Sequence, residues 1–303
     1  MAEAQETLRS RIAALIGWRD GVAATGRAIE TVAMTGGGSR QSVVLSVDGR
    51  DVPGILLLPE RLPCPAILYC HAHGGNYEQG ADELLTGAPY LAGPYAEDLL
   101  QLGFAVLSVD TPGFGSRRGE GSESAMAKAA LWRGDSLFSE MLKCQAAALG
   151  YLAARPEVDG QRIAALGISM GGALASWLGA LDSRISAVAD LCMLADIQEL
   201  IALGVHDRHG IYLTVPGLLA LADMGDVAGL IAPRPQFVGH KRGDHLTPPS
   251  ARDAALAKLK AAYQAAGAES ALDCFLGDGD GHKESPAMRQ AALAFLKRRA
   301  AAQ

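Results

Sequence analysis

The sequence predicts an α/β fold: a mostly parallel central sheet of about eight strands with helices on both faces. Three observations lead there. After Pro65, short apolar runs recur at 66–70, 104–109, 162–168, 185–189, 235–239 and 272–276. They are continuous rather than alternating, as expected of strands covered on both faces. Longer segments between them, at 136–154 and 250–266, read as helices, and alternation of strand with helix is the signature of a parallel sheet. Finally, 49% of the 303 residues are hydrophobic and 20% charged, which supplies ample apolar surface for a core and none of the character of a disordered chain. That length suits two domains or one large α/β domain. No repeat, low-complexity tract or Ser/Pro linker divides it, so residues 1–303 are predicted to be a single domain.

The elements follow in chain order. Residues 1–30 are read as an N-terminal helical extension, because Leu8, Ile12, Leu15 and Ile16 fall on one helical stripe. That stripe needs a partner, either the chain's own core or a second subunit, so a homo-oligomer is one reading. Residues 42–47 and 54–58 are extended and apolar, and the turn-forming Asp48-Gly49 between them predicts an antiparallel pair. Residues 195–232 break the strand–helix rhythm and carry Ile201, Leu203, Ile211, Tyr212 and Leu218, as a cap-like insertion over one end of the sheet would. Ser250 and Asp253 have the spacing of a helix-capping box.

Charge and cysteines narrow the function. Lys+Arg number 27 against 33 Asp+Glu, a formal net charge of −6, which excludes a nucleic-acid clamp driven by bulk positive charge. No apolar run approaches the roughly 18 residues of a membrane span, and the acid-bearing start is unlike a signal peptide. Five cysteines lie scattered without metal-ligand spacing. Together these predict a cytoplasmic protein with reduced thiols that has neither nucleic acid nor membrane as its partner.

The chemistry centres on Gly167-Ile-Ser-Met-Gly171, which fits the nucleophile-elbow pattern G-x-S-x-G. The pattern alone is weak, since a serine capping a helix would read the same way, but its context is specific. It closes the strand at 162–168 and opens a helix rich in small residues, Gly171-Gly-Ala-Leu-Ala175. A tight strand-to-helix turn exposes Ser169, small neighbours let helix and strand approach, and the helix N-terminus aims its amides where an oxyanion would form. Serine needs a base, and the base needs an acid. Five of the seven histidines follow Ser169. His282 is the best candidate, because the glycine-rich 277–281 segment after the last strand can carry it over the sheet end. His206 and His209, in the insertion, suit a helix face as well. Asp244 follows the strand at 235–239 and is the predicted acid, with Asp110, Asp223, Asp226, Asp278 and Asp280 as rivals. The order Ser169, Asp244, His282 is nucleophile, acid, base.

An oxyanion hole needs two donors. The Met170 amide is one. His71-Ala-His-Gly-Gly75, after the strand at 66–70, resembles the H-G-G loop that supplies the other, and position favours the His73 amide over that of Gly74. Competing chemistries score lower. His71 and His73 lack the further ligands of a metal site, Asp278-Gly-Asp280 lacks the rest of a calcium loop, and neither a phosphate loop nor a dinucleotide fingerprint is present. Arg117-Arg118 reads as a solvated surface pair, with contact to an anionic substrate as the alternative.

Taken together, His71-Ala-His-Gly-Gly-Asn76, Asp110-Thr-Pro-Gly-Phe-Gly-Ser116, Gly167–Ala175 with 181–188, and Ile231-Ala-Pro-Arg-Pro235 leading to Gly243-Asp244 and Thr247-Pro248 resemble the α/β-hydrolase superfamily. Within it they are similar to the branch of dienelactone hydrolases, acetyl xylan esterases and prolyl-oligopeptidase-like esterases. The likeness spans most of residues 50–300. It implies a Ser-Asp-His carboxylesterase that uses neither a metal nor an organic cofactor and passes through an acyl-enzyme. Two positions depart from the pattern: Ala72 stands where glycine is usual, and Ser169 replaces the cysteine of true dienelactone hydrolases, which disfavours that activity. A peptidase or amidase is the second expectation, and a non-catalytic ligand-binding protein on the same fold the third.

Overall fold

The computed structural model describes residues 2–19, 24–34 and 37–301. Among these, nine strands form one sheet in the order β1-β2-β3-β5-β4-β6-β7-β8-β9. They are β1 (Thr25–Ala33), β2 (Ser39–Val47), β3 (Arg50–Leu58), β4 (Cys64–Cys70), β5 (Ala105–Val109), β6 (Val158–Ile168), β7 (Ile185–Leu191), β8 (Gln236–Gly243) and β9 (Leu272–Asp280). β1, β2, β3 and β5 pair antiparallel, and from β5 through β4 to β9 every pairing is parallel. The expected run of buried strands is therefore present, and the sheet has one strand more than the pattern predicts.

Ten α-helices accompany the sheet among the described residues: α1 (Ala2–Leu15), α2 (Glu83–Thr86), α3 (Ala96–Gln101), α4 (Glu123–Trp132), α5 (Leu137–Ala153), α6 (Met170–Leu181), α7 (Ile197–Ala202), α8 (Met224–Gly229), α9 (Pro249–Ala265) and α10 (Pro286–Leu296). The strands' two faces pack into separate cores. One contains Leu56, Leu68, Leu107, Ala165 and Val188 with α5, α6 and α8; the other contains Leu57, Ile67, Val106, Leu166 and Ala189 with α3 and α10. Alternate residues of one strand go to opposite cores, so an uninterrupted apolar run is what the double covering demands. No described helix is long and apolar enough to cross a membrane.

Local chemistry explains the ends of elements. Asp48 and Gly49 both have positive φ, 49° and 76°, the conformation of the tight turn that sets β2 against β3 with Val47 opposite Arg50. Ser136 caps α5 by accepting from the Ser139 amide. The capping box expected at Ser250 is not used: α9 starts at Pro249, at the first helical position where proline loses no helical hydrogen bond.

The N-terminal region differs from its expected extent. The helix stops at Leu15, residues 20–23 fall outside the described residues, and Thr25–Ala33 is an edge strand with all nine residues exposed. The α1 stripe meets its own chain. Ile12 and Ile16 are buried in the larger core, and the Arg9 guanidinium donates to the carbonyls of Ala180 and Leu230. Residues 195–232, expected to be a cap-like insertion, lie between β7 and β8 and contain α7, α8 and short 3-10 turns.

Candidate active site

Parallel strands place their following loops at one sheet end, where α/β proteins gather functional groups. Ser169 directly follows β6, Asp244 follows β8, His282 lies two residues past β9, and the 71–76 loop follows β4. At Ser169 the chain reverses from strand to helix with φ 56° and ψ −124°, a conformation costly for a residue bearing a β-carbon. The turn is tight enough that glycine is required beside it: a β-carbon on Gly167 would lie 2.2 Å from the backbone of Gly171.

The structure brings the three predicted side chains together. His282 Nε2 is 2.7 Å from Ser169 Oγ, and His282 Nδ1 is 2.9 and 3.1 Å from the two oxygens of Asp244. Asp244 is buried and accepts a further hydrogen bond from the Leu246 amide at 2.9 Å. Burial alone would push its carboxyl up, but the bond and charge of His282 and the Leu246 amide outweigh that and hold it below the usual aspartate range. An ionised Asp244 accepts a hydrogen bond from the His282 Nδ1–H and so keeps that proton on Nδ1, which leaves Nε2 as acceptor for the serine hydroxyl.

Met170 is the first residue of α6, where amides have no partner within the helix. The 71–76 loop, which follows β4, is held by buried Glu83. This carboxylate accepts from the Ala72 amide (3.2 Å), the Tyr69 hydroxyl (2.6 Å) and the Tyr90 hydroxyl. Gly74 has φ 52°, and its backbone lies against the Tyr90 ring so closely that a β-carbon would stand 2.3 Å from it. On the other flank, Glu284, two residues past His282, accepts from the Tyr95 hydroxyl and the Ala92 amide and pairs with Arg289. A cleft of about 620 Å³ opens over Ser169, bordered by His73, Tyr77, Tyr90, Tyr212, Arg208 and His245 among others.

The remaining candidates have other employment. Asp110 is buried and binds the Ala81 and Ser116 amides, each at 2.8 Å. Asp223 and Asp226 form the capping box of α8. Asp278 pairs with Arg242 on the surface, and Asp280 gives its carbonyl to Lys241. His240 is enclosed within β8, where burial pushes its imidazole down to about 4. His206 is exposed in a 3-10 turn, while His209 donates through Nε2 to the Leu246 carbonyl at 3.0 Å. The His71 and His73 rings have separate partners, Thr111 and Glu123. Of Arg117 and Arg118, expected as a solvated pair, only Arg118 is exposed, where it pairs with Glu78; Arg117 is buried and bonded to Glu120, the Asp110 carbonyl and Cys144 Sγ. Neither lines the cleft.

Sequence reasoning missed Glu83, Glu123, Tyr90 and Glu284. Each is a single acidic or aromatic residue whose partners come from elsewhere in the chain, so spacing carried no signal for it.

Residues 46–214 match the acetyl xylan esterase (AXE1) family. The curated "Putative hydrolase YtaP" of Bacillus subtilis (strain 168) is 37% identical over 264 residues, covering 85% of this chain and 87% of that protein. Among solved structures, a glucuronoyl esterase from Solibacter usitatus superposes with a TM-score of 0.69 at 17% identity, over 96% of this chain and 92% of that one. An acetyl xylan esterase from Paenibacillus sp. R4 does so with a TM-score of 0.68 at 20% identity, over 99% of both chains. At those identities the structures show a shared fold, whereas the sequence matches carry kinship. The chain thus belongs to the acetyl xylan esterase (AXE1) family, carboxylic ester hydrolases built on the α/β-hydrolase fold.

Proposed function

We propose that the protein hydrolyses small acyl esters through an acyl-enzyme on Ser169, with His282 as general base and acid and Asp244 as the group that orients it. The carrying observation is the unbroken line from Asp244 Oδ2 through His282 to Ser169 Oγ, with links of 2.9 and 2.7 Å. Ser169 Oγ attacks the ester carbonyl while its proton passes to His282 Nε2, and the imidazolium is stabilised by ionised Asp244. The carbonyl electron pair moves onto oxygen, which the amides of Met170 and His73 receive, with Gly74 as the neighbouring alternative. Collapse expels the alcohol, protonated by His282. Water, deprotonated by the same histidine, then releases the carboxylic acid.

Acetyl xylan and glucuronoyl esters, named for the relatives, make carbohydrate esters the first substrates to try. Exposed Arg208 and His245 at the border of the cleft offer polar contacts to hydroxyls. The cytoplasm is the compartment this reading takes, with four of the five thiols buried as suits a reducing environment. The direct test is turnover of p-nitrophenyl esters of graded acyl length and of acetylated sugars, beside an aminoacyl p-nitroanilide. The reading expects ester cleavage, fastest on short acyl groups, with the anilide slower by orders of magnitude. Preferential anilide cleavage would favour the amidase, and saturable ligand binding without turnover would favour the binding protein.

A further inference from the structure

Beside Ser169 the cleft wall contains a second carboxylate–histidine pair that the reaction above does not use. Glu123 begins α4, following the N-cap Ser122, and its side chain is almost wholly buried. Oε2 accepts from His73 Nε2 at 2.5 Å and from the Tyr77 hydroxyl at 2.9 Å; Oε1 accepts from the Tyr212 amide at 3.0 Å. The His73 tautomer is fixed on its other side, because the Gly75 amide donates to Nδ1 at 3.1 Å and leaves the proton on Nε2. The His73 ring is also stacked on that of Tyr212, centroids 5.4 Å apart and planes at 26°.

Three separate parts of the chain therefore meet at one side chain. His73 and Tyr77 belong to the segment after β4, Tyr212 to the 195–232 insertion, and Glu123 to α4. The insertion is moulded to the carboxylate: a β-carbon on Gly210 would stand 2.8 Å from Glu123 Oε1 and 2.7 Å from the Tyr212 ring. Only a carboxylate suits this position. A glutamine has one acceptor oxygen, so whichever way its amide sat, its NH2 would face an N–H or O–H donor. The ionised form is also favoured: burial raises the Glu123 carboxyl, but His73, the Tyr212 amide and Tyr77 together hold it below the usual glutamate range.

We propose that Glu123 is a positioning residue that ties the insertion to the loop after β4, and so fixes the direction in which the His73 amide meets the transition-state oxygen. The inference rests on the esterase reading above. A donor displaced by about 1 Å loses much of its effect on the transition state, whereas ground-state binding in an open cleft changes little.

The experiment compares wild type with Glu123→Gln, Gly210→Ala and His282→Ala. It measures kcat and KM for p-nitrophenyl acetate, the Ki of a trifluoromethyl methyl ketone that adds to Ser169 as a tetrahedral oxyanion, and the Ki of the corresponding unreactive alcohol. Glu123→Gln is expected to lower kcat by about 10- to 100-fold and to weaken the ketone by a similar factor. KM and the Ki of the alcohol should stay within about twofold. Gly210 has φ −61°, which alanine adopts freely, so Gly210→Ala disturbs the same contact without backbone strain and should show the same selective loss. It also carries the test if the glutamine variant does not fold. Unchanged kcat and ketone affinity in the folded variants, or parallel loss of ketone and alcohol binding, would overturn the proposal. If that happens while His282→Ala is inactive, the esterase reading stands and this inference alone fails. A fully active His282→Ala would remove both.

Discussion

Gly171 brings the first turn of α6 so close to the end of β4 that a β-carbon on it would stand 1.9 Å from the Cys70 carbonyl oxygen. The obstacle is main chain in a central strand, which has no rotamer by which to retreat. Gly171→Ala must therefore push α6 away from β4 and carry Ser169 with it. The expected result is a stability loss of about 1–3 kcal/mol, the usual cost of overpacking, together with a kcat loss of about 100-fold from misplacement of Ser169, the proposed nucleophile. Chemical denaturation and ester kinetics on the purified variant measure the two.

Backbone strain at Ser169 gives a prediction of opposite sign. Glycine in place of alanine ordinarily costs about 0.5–1 kcal/mol through chain entropy. At φ 56° and ψ −124° the β-carbon itself carries a cost of about 1–3 kcal/mol. Both Ser169→Ala and Ser169→Gly should be inactive, but the glycine variant should be the more stable by about 1 kcal/mol. A higher thermal midpoint for the alanine variant would show that the elbow is not strained.

The tautomer of His282 depends on Asp244. Replacing that carboxylate by an amide keeps the shape but allows an N–H to face Nδ1, which favours the proton on Nε2 and blocks acceptance from Ser169. Asp244→Asn is expected to lower kcat by roughly 10³- to 10⁴-fold with little change in KM. A loss below about tenfold would point to one of the rival acids.

Asp190, at the C-terminal end of β7, makes stability depend on pH. It is buried, accepts one hydrogen bond from Ser176 at 2.9 Å, and burial pushes its carboxyl up to about 7. The folded state thus keeps a proton that the unfolded chain releases near pH 4. Its contribution is fully present below the unfolded value and is lost as pH rises from about 4 to about 7. Asp190→Asn removes the ionisation while leaving an oxygen for Ser176. The variant should match wild type below about pH 4 and exceed it by about 2–4 kcal/mol at pH 8, as read from urea unfolding at both pH values. A constant difference across that range would contradict the assignment.

How far these features could be read in advance depends on where their determinants lie. Ser169, Asp244 and His282 each follow a recognisable apolar strand, and parallel strands bring such ends together, so order along the chain was enough to link them. β1 was not legible because Thr25–Ala33 is exposed along its whole length and mixes Arg27 and Glu30 with Ile29 and Val32, giving neither alternation nor a continuous run. Glu123 reads in sequence as an ordinary acid in the first turn of a helix. Its role depends on Tyr212, 89 residues away, and His73, 50 residues away, and only the fold makes them neighbours. Arg234, within the Ile231-Ala-Pro-Arg-Pro235 segment that carries part of the family resemblance, proves to be architectural. It donates to the carbonyls of Gly179, Asp182 and Ile185 and so locks α6 to β7 below the site.

Covalent labelling tests the central claim most directly. Wild-type protein, Ser169→Ala and His282→Ala are treated with a fluorophosphonate, and the modified peptide is located by mass spectrometry. One equivalent of adduct on Ser169 in the wild type, none in Ser169→Ala and a rate lowered by several orders of magnitude in His282→Ala is the predicted result. Stoichiometric labelling of Ser169→Ala at the wild-type rate would contradict it.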